Sequence, residues 1–145
     1  MQSVTEIPFN AFVGLETSTD PGSLLRLPAD RRYQNHLGTV HASAQLALAE
    51  ATSGEFLLRT FRATQGIVPV VRRMEAKFHK PAHGALTSRI TTPPEALTEF
   101  DADLAAKGRA FLGIGVELYD EAGTRTLSAV VEWFVTRSST APRVD

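Results

Sequence analysis

The 145-residue sequence predicts an α+β fold, a curved antiparallel sheet of about six strands wrapped around one long apolar helix. Three observations carry that expectation. Residues 40–52 are Ala/Leu-rich, free of Pro and apolar almost all the way round, as in a helix buried on most sides. The strand-like segments that follow it meet at hairpin-type turns, which favours antiparallel pairing over a parallel sheet. The length suits one domain, placed at residues 1–137, with a flexible Ser/Thr/Pro/Arg-rich tail over 138–145.

Each element follows from local chemistry. Residues 9–16 carry apolar positions without helical spacing and read as a short strand. A second short strand at 23–27 is bracketed by Pro21-Gly22 and Pro28. Residues 29–38 form a polar loop crowding Arg31, Arg32, Tyr33, Asn35 and His36 together. Thr39 is the expected N-cap of the apolar helix. Gly54 weakens that helix by about 1 kcal/mol relative to Ala and suits close approach of another backbone, such as a partner helix.

Residues 68–80 alternate, with Met74, Ala76 and Phe78 on one face and Arg73, Glu75, Lys77 and His79 on the other. A turn at Pro81-Ala82-His83-Gly84 leads into a strand over 85–92. Pro93-Pro94 opens a helix with Leu97, Phe100 and Leu104 on one face and Gly108 just past its end. The last two strands form a hairpin. Residues 109–119 turn Leu112, Ile114, Val116 and Leu118 inward. After Asp120-Glu121-Ala122-Gly123, residues 124–136 do the same with Leu127, Ala129, Val131, Trp133 and Val135.

Composition excludes several functions. A net charge of -1 leaves no electrostatic footprint for nucleic acid. With no Cys there is no disulfide framework, thiolate zinc site or cysteine nucleophile. His36, His41, His79 and His83 are not spaced with acidic residues as metal ligands, so no metal is expected. No run approaches the roughly 20 apolar residues of a membrane span, and the N-terminus has no basic-then-apolar leader. A soluble cytoplasmic protein is expected.

One segment concentrates chemistry. A Gly-containing loop delivers the chain into a helix N-terminus, where free N–H groups and the dipole favour an oxygen anion. His41 sits at that entry. Further along lies Glu50, among Ala47, Leu48, Ala49 and Ala51. Desolvation there pushes a carboxyl toward its neutral form and makes it an acid or base useful near neutral pH. A Glu facing solvent or a subunit interface is the plain alternative.

Asn35-x-x-Gly38-Thr39-x-His41-x-x-Ala44, with Glu50 nine residues after the histidine, resembles the PaaI-like group of hot-dog-fold thioesterases. Lys80-Pro81-Ala82-x-Gly84, the Gly108-Arg109 strand start and the Asp120-x-x-Gly123 hairpin match as well. The inserted helix at 95–107 is most similar to a branch that includes the C-terminal domain of YiiD-type proteins. The resemblance implies a hot-dog fold and hydrolysis of an acyl-CoA or related thioester. It makes Glu50 the base activating water, or the nucleophile, and the backbone N–H of Ser43 or Ala42 the oxyanion donor. Asn35 and His41 position the thioester, with Gly38 and Thr39 in the binding loop. Lys80, Arg109 and Arg137, besides Arg31 and Arg32, are candidates for the CoA phosphates, each also readable as an ordinary solvated cation. No cofactor is implied beyond coenzyme A as part of the substrate.

This sequence departs from the group where His-Gly-Gly has become His41-Ala42-Ser43, which keeps the backbone donors but narrows the approach. That keeps a non-catalytic acyl- or CoA-binding module in play. A 3-hydroxyacyl thioester dehydratase, pairing His36 with Glu50 fourteen residues later, lacks the surrounding His-Phe-Pro context. A homodimer, or a dimer of dimers, is expected because a six-strand sheet leaves edges to pair and a helix partly uncovered.

Overall fold

The computed structural model describes residues 3–61 and 66–138, so the expected tail at 138–145 falls outside the described residues beyond its first residue. The architecture is the hot-dog fold. Strands β1 (Glu16–Thr17), β2 (Leu25–Leu27), β3 (Ile67–Phe78), β4 (Leu86–Ile90), β5 (Arg109–Tyr119) and β6 (Arg125–Arg137) form one antiparallel sheet, in the order β1-β2-β4-β5-β6-β3. Helix α1 (Pro8–Val13) precedes β1. The long helix α2 (Ala42–Thr60) packs on the concave face over β2, β4, β5 and β6, and α3 (Pro94–Lys107) is inserted between β4 and β5.

The periodic segments fold as their patterns dictate. Leu112, Ile114, Val116 and Leu118 of β5 and Leu127, Ala129, Val131, Trp133 and Val135 of β6 are all buried. Phe100 and Leu104 anchor α3, which ends at Gly108 in the left-handed conformation.

Three local expectations change. Residues 8–13 are a helix rather than a strand. Pro8 supplies the φ of the first turn, and Gly14 terminates the helix at φ 89°, leaving only Glu16–Thr17 to pair with β2. The N-cap of α2 is His41, not Thr39, because Thr39 is already engaged. Asn35 Oδ1 accepts the N–H groups of Leu37 and Thr39, and its Nδ2 donates to the Thr39 hydroxyl. The third concerns Gly54, which within the subunit is approached by the indole of Trp133.

Strand β3 is an edge. Its register sets Met74 opposite Val131, Ala76 opposite Ala129 and Phe78 opposite Leu127, so these three do share one face, the concave one. Phe78 is nevertheless 46% exposed, because α2 lies over the other strands and not over β3. An irregularity between Val71 and Arg73 breaks the alternation. Val68 and Val70 therefore lie on the convex face, whereas Val71 pairs with the inward Trp133.

Glu50 is not the sole carboxylate set into α2. Glu55 is buried, accepts from Arg59 Nε at 2.8 Å and from the Val4 N–H at 3.4 Å, and so ties the N-terminal segment to the helix. Glu55→Ala is expected to cost about 1–3 kcal/mol, since it leaves the buried Val4 N–H without its acceptor. A lower urea midpoint, with faster proteolysis before Glu16, checks this.

Candidate active site

The loop at residues 35–41 is fixed before the helix begins. Asn35 closes it through its own backbone and side chain, Gly38 turns it at φ 77°, and the Val40 N–H donates to the Ala82 carbonyl. Ala82, buried in the Pro81–Gly84 turn, thereby docks the segment carrying Lys80 against the entry to α2.

His41 Nδ1 accepts the Ser43 N–H at 2.9 Å, and the His41 carbonyl accepts from Ala44 and Gln45. Of the two candidate oxyanion donors, the Ser43 N–H is thus turned to its own cap. The Ala42 N–H, at the first helical position, meets no acceptor among the described residues. Ala42 and Ser43 are both exposed, so a ligand can reach this end of α2.

Glu50 lies two turns on, half-buried, and among the described residues its carboxylate meets neither a hydrogen-bond donor nor a cation. Burial therefore acts unopposed and raises its carboxyl pKa above the ordinary carboxylate range. Helical spacing puts Ala47, Ser53 and Gly54 on the same side as Glu50. The Ser53 hydroxyl donates to the Glu50 carbonyl at 2.7 Å and accepts from Trp133 Nε1–H at 2.9 Å, which pins this stretch of α2 to β6. No local sequence signal points to that link, since its partners are 80 residues apart.

The remaining candidates separate. Lys80 follows Phe78, which pairs with Leu127 at the start of β6, whereas Arg109 pairs with Thr136 next to Arg137 at its end. Ten strand residues, about 33 Å, divide the two groups. Within one subunit Lys80 joins the loop at the entry to α2, while Arg109 and Arg137 do not. His36 is exposed at the loop tip, and no described contact ties it to Glu50. Among the described residues no group of three His, Cys, Asp or Glu side chains is placed to hold a metal ion, and no helix is long and apolar enough to cross a membrane. A separate groove of about 360 Å³ opens on the convex face around Gly115, Lys77, Glu117 and Arg125, away from Glu50.

Residues 15–135 match a domain of unknown function, DUF4442. None of the curated proteins matches the chain in sequence. Among solved structures, a Pseudomonas aeruginosa protein described as a "Probable Thioesterase" superposes with a TM-score of 0.78 at 26% identity, covering 92% of this chain and 91% of that one. A thioesterase from Haemophilus influenzae shares the fold with a TM-score of 0.69 at 16% identity, over 97% and 90% of the two chains. A Bacillus halodurans protein crystallised with CoA does so with a TM-score of 0.66 at 17% identity, over 88% and 74%.

Proposed function

The chain belongs to the DUF4442 family, a hot-dog thioesterase-like family, and from that membership and the Glu50 site we propose that it hydrolyses thioesters, with an acyl-CoA as substrate. The observation that carries the reading is Glu50, a half-buried carboxylate on the central helix with a raised pKa and no partner among the described residues. Its carboxylate takes a proton from water as the water oxygen attacks the thioester carbonyl. The tetrahedral oxyanion is met by the Ala42 N–H and the positive end of the α2 dipole. Collapse breaks the C–S bond, and the Glu50 carboxyl returns the proton to the CoA sulfur. Direct attack by the carboxylate, through a mixed anhydride that water then opens, uses the same groups.

One subunit does not assemble this site. Ala42 and Glu50 are eight residues apart on one helix, about 12 Å along its axis, whereas one carbonyl group needs both within about 3–4 Å. A second copy resolves the mismatch. The long edge β3 has no second neighbour among the described residues, and Val71, Met74 and Ala76 on its concave face are not roofed by α2. Pairing two β3 edges about a two-fold axis reverses every direction in the sheet. The two α2 helices then run antiparallel, with Ala42 of one facing the Glu50 region of the other. The same operation brings Lys80 to the end of the double sheet that holds Arg109 and Arg137 of the partner subunit, a shared cluster for CoA phosphates. The PaaI-like branch, a cytoplasmic setting and the pairing of dimers into tetramers belong to this reading.

Hydrolysis of a panel of short, medium and aryl acyl-CoAs, followed by thiol release, tests the activity. The log of kcat/KM is expected to rise with pH through the raised Glu50 pKa and then level off, since only the ionised carboxylate accepts the proton. A rising limb at the ordinary carboxylate value of about 4.3 counts against Glu50 as the group responsible. The retention of the Ser43 N–H by His41 favours one second reading, a binding module that lacks turnover. Thermal stabilisation by CoA with no thiol release from any acyl-CoA identifies that case.

A further inference from the structure

Because α2 does not roof β3, the concave side chains of β3 stay partly open beside the helix, with the buried side chains of β6 between the two. The β6 side chains change in size along the strand. Ala129 lies beside Ala76 and Val131 beside Met74, and then the far larger Trp133 lies beside Val71. The Trp133 indole rises from the sheet to the helix. A Cβ at Gly54 would stand 3.3 Å from its outer edge, and its Nε1–H is held by the Ser53 hydroxyl. Trp133 is only 8% exposed, so both its rim and its polar atom are fixed.

We propose that Trp133 is the end wall of the acyl channel, set one helical turn beyond Glu50, and restricts the enzyme to short acyl groups. This rests on the thioesterase reading above. The four residues from Glu50 to Gly54 advance about 6 Å along the helix, room for an extended acyl chain of roughly four to six carbons. A glycine at position 54 lets the indole lie directly against the helix backbone. The hydrogen bond to Ser53 resists displacement of the ring by a longer chain, so each carbon beyond the limit meets a wall rather than a yielding side chain.

Two measurements test the wall separately from the hydrolysis. In the first, kcat/KM is compared across straight-chain acyl-CoAs from acetyl to palmitoyl, for the wild type and for Trp133→Phe, which shortens the wall and keeps the apolar fill. The wild type is expected to fall by about tenfold or more for each two carbons beyond the limit, and Trp133→Phe to raise the octanoyl-to-butyryl ratio by about tenfold. Equal use of lauroyl and butyryl groups by the wild type, or an unchanged profile in folded Trp133→Phe, overturns the wall and leaves thioester hydrolysis standing. The second uses the native indole, the single tryptophan of the chain, as a reporter in Glu50→Gln. Butyryl-CoA is expected to shift its emission where CoA alone does not. If no acyl-CoA is hydrolysed, that shift still supports the wall of a binding pocket, and its absence overturns it.

Discussion

Glu50→Gln is expected to lower kcat for thioester hydrolysis by about 10²–10⁴-fold with little change in KM, because the amide keeps the shape of the side chain and cannot accept the proton. The same change is expected to stabilise the fold at neutral pH. Burial raises the folded-state pKa of Glu50 above its unfolded value, so the native state holds a proton that the unfolded chain has already released. Native stability therefore falls as pH climbs from the unfolded to the folded pKa, and above that window the penalty is complete. A neutral glutamine escapes it. The difference in unfolding midpoint, E50Q minus wild type, should be smallest below pH 4 and reach a plateau once the folded pKa is passed. Loss of activity together with a lowered midpoint at pH 8 would instead mark Glu50 as a structural residue.

Ala42→Pro is the complementary case. Proline at the first helical position lacks only the N–H that the oxyanion needs, and its φ suits that position. Its demand on the preceding residue is already met, since His41 is extended at φ -61° and ψ 140°. The variant is expected to keep the wild-type melting temperature and to lose about 10²–10³-fold in kcat. If donor and carboxylate come from different subunits, two inactive proteins rescue each other. Refolding A42P with E50Q in equal amounts gives half mixed dimers, each holding one site with both groups intact, and so about a quarter of wild-type activity. Native mass spectrometry establishes that subunits exchanged. Activity at the level of the parents in an exchanged sample means that the site is built within one chain.

Where the determinants are local, the sequence was legible. Pro94 and Gly108 bracket α3, the period of Leu97, Phe100 and Leu104 turns one face inward, and the alternation of β5 and β6 sorts their side chains correctly. Six residues at 8–13 are too few for a period to separate helix from strand, and there the flanking Pro8 and Gly14 decide. Thr39 has the right chemistry for a cap, but Asn35 four residues earlier competes for its hydroxyl. Glu55 has a local partner in Arg59 four residues on, but its bond to Val4 spans 51 residues and leaves no local mark. Glu50 could be singled out from its apolar neighbours, whereas the indole closing the space beyond it depends on a contact across 80 residues.

The two ends of the sheet differ in a way that bears on how large an assembly can grow. At one end β1 has two residues and offers little to pair with; at the other β3 has twelve. Within β3, Pro69 lacks an N–H, the irregularity after Val71 interrupts the ladder, and Arg72, Arg73, Glu75 and Lys77 follow in quick succession. An incoming strand must skip the missing donor, match the kink and face those charges, which few sequences and few registers satisfy. A second β3 related by symmetry consumes both long edges at once, and the short β1 edges left outside are poor templates for further addition. In the proposed dimer, strand pairing would then terminate at two chains, and the edge that would permit association would also protect against fibre growth.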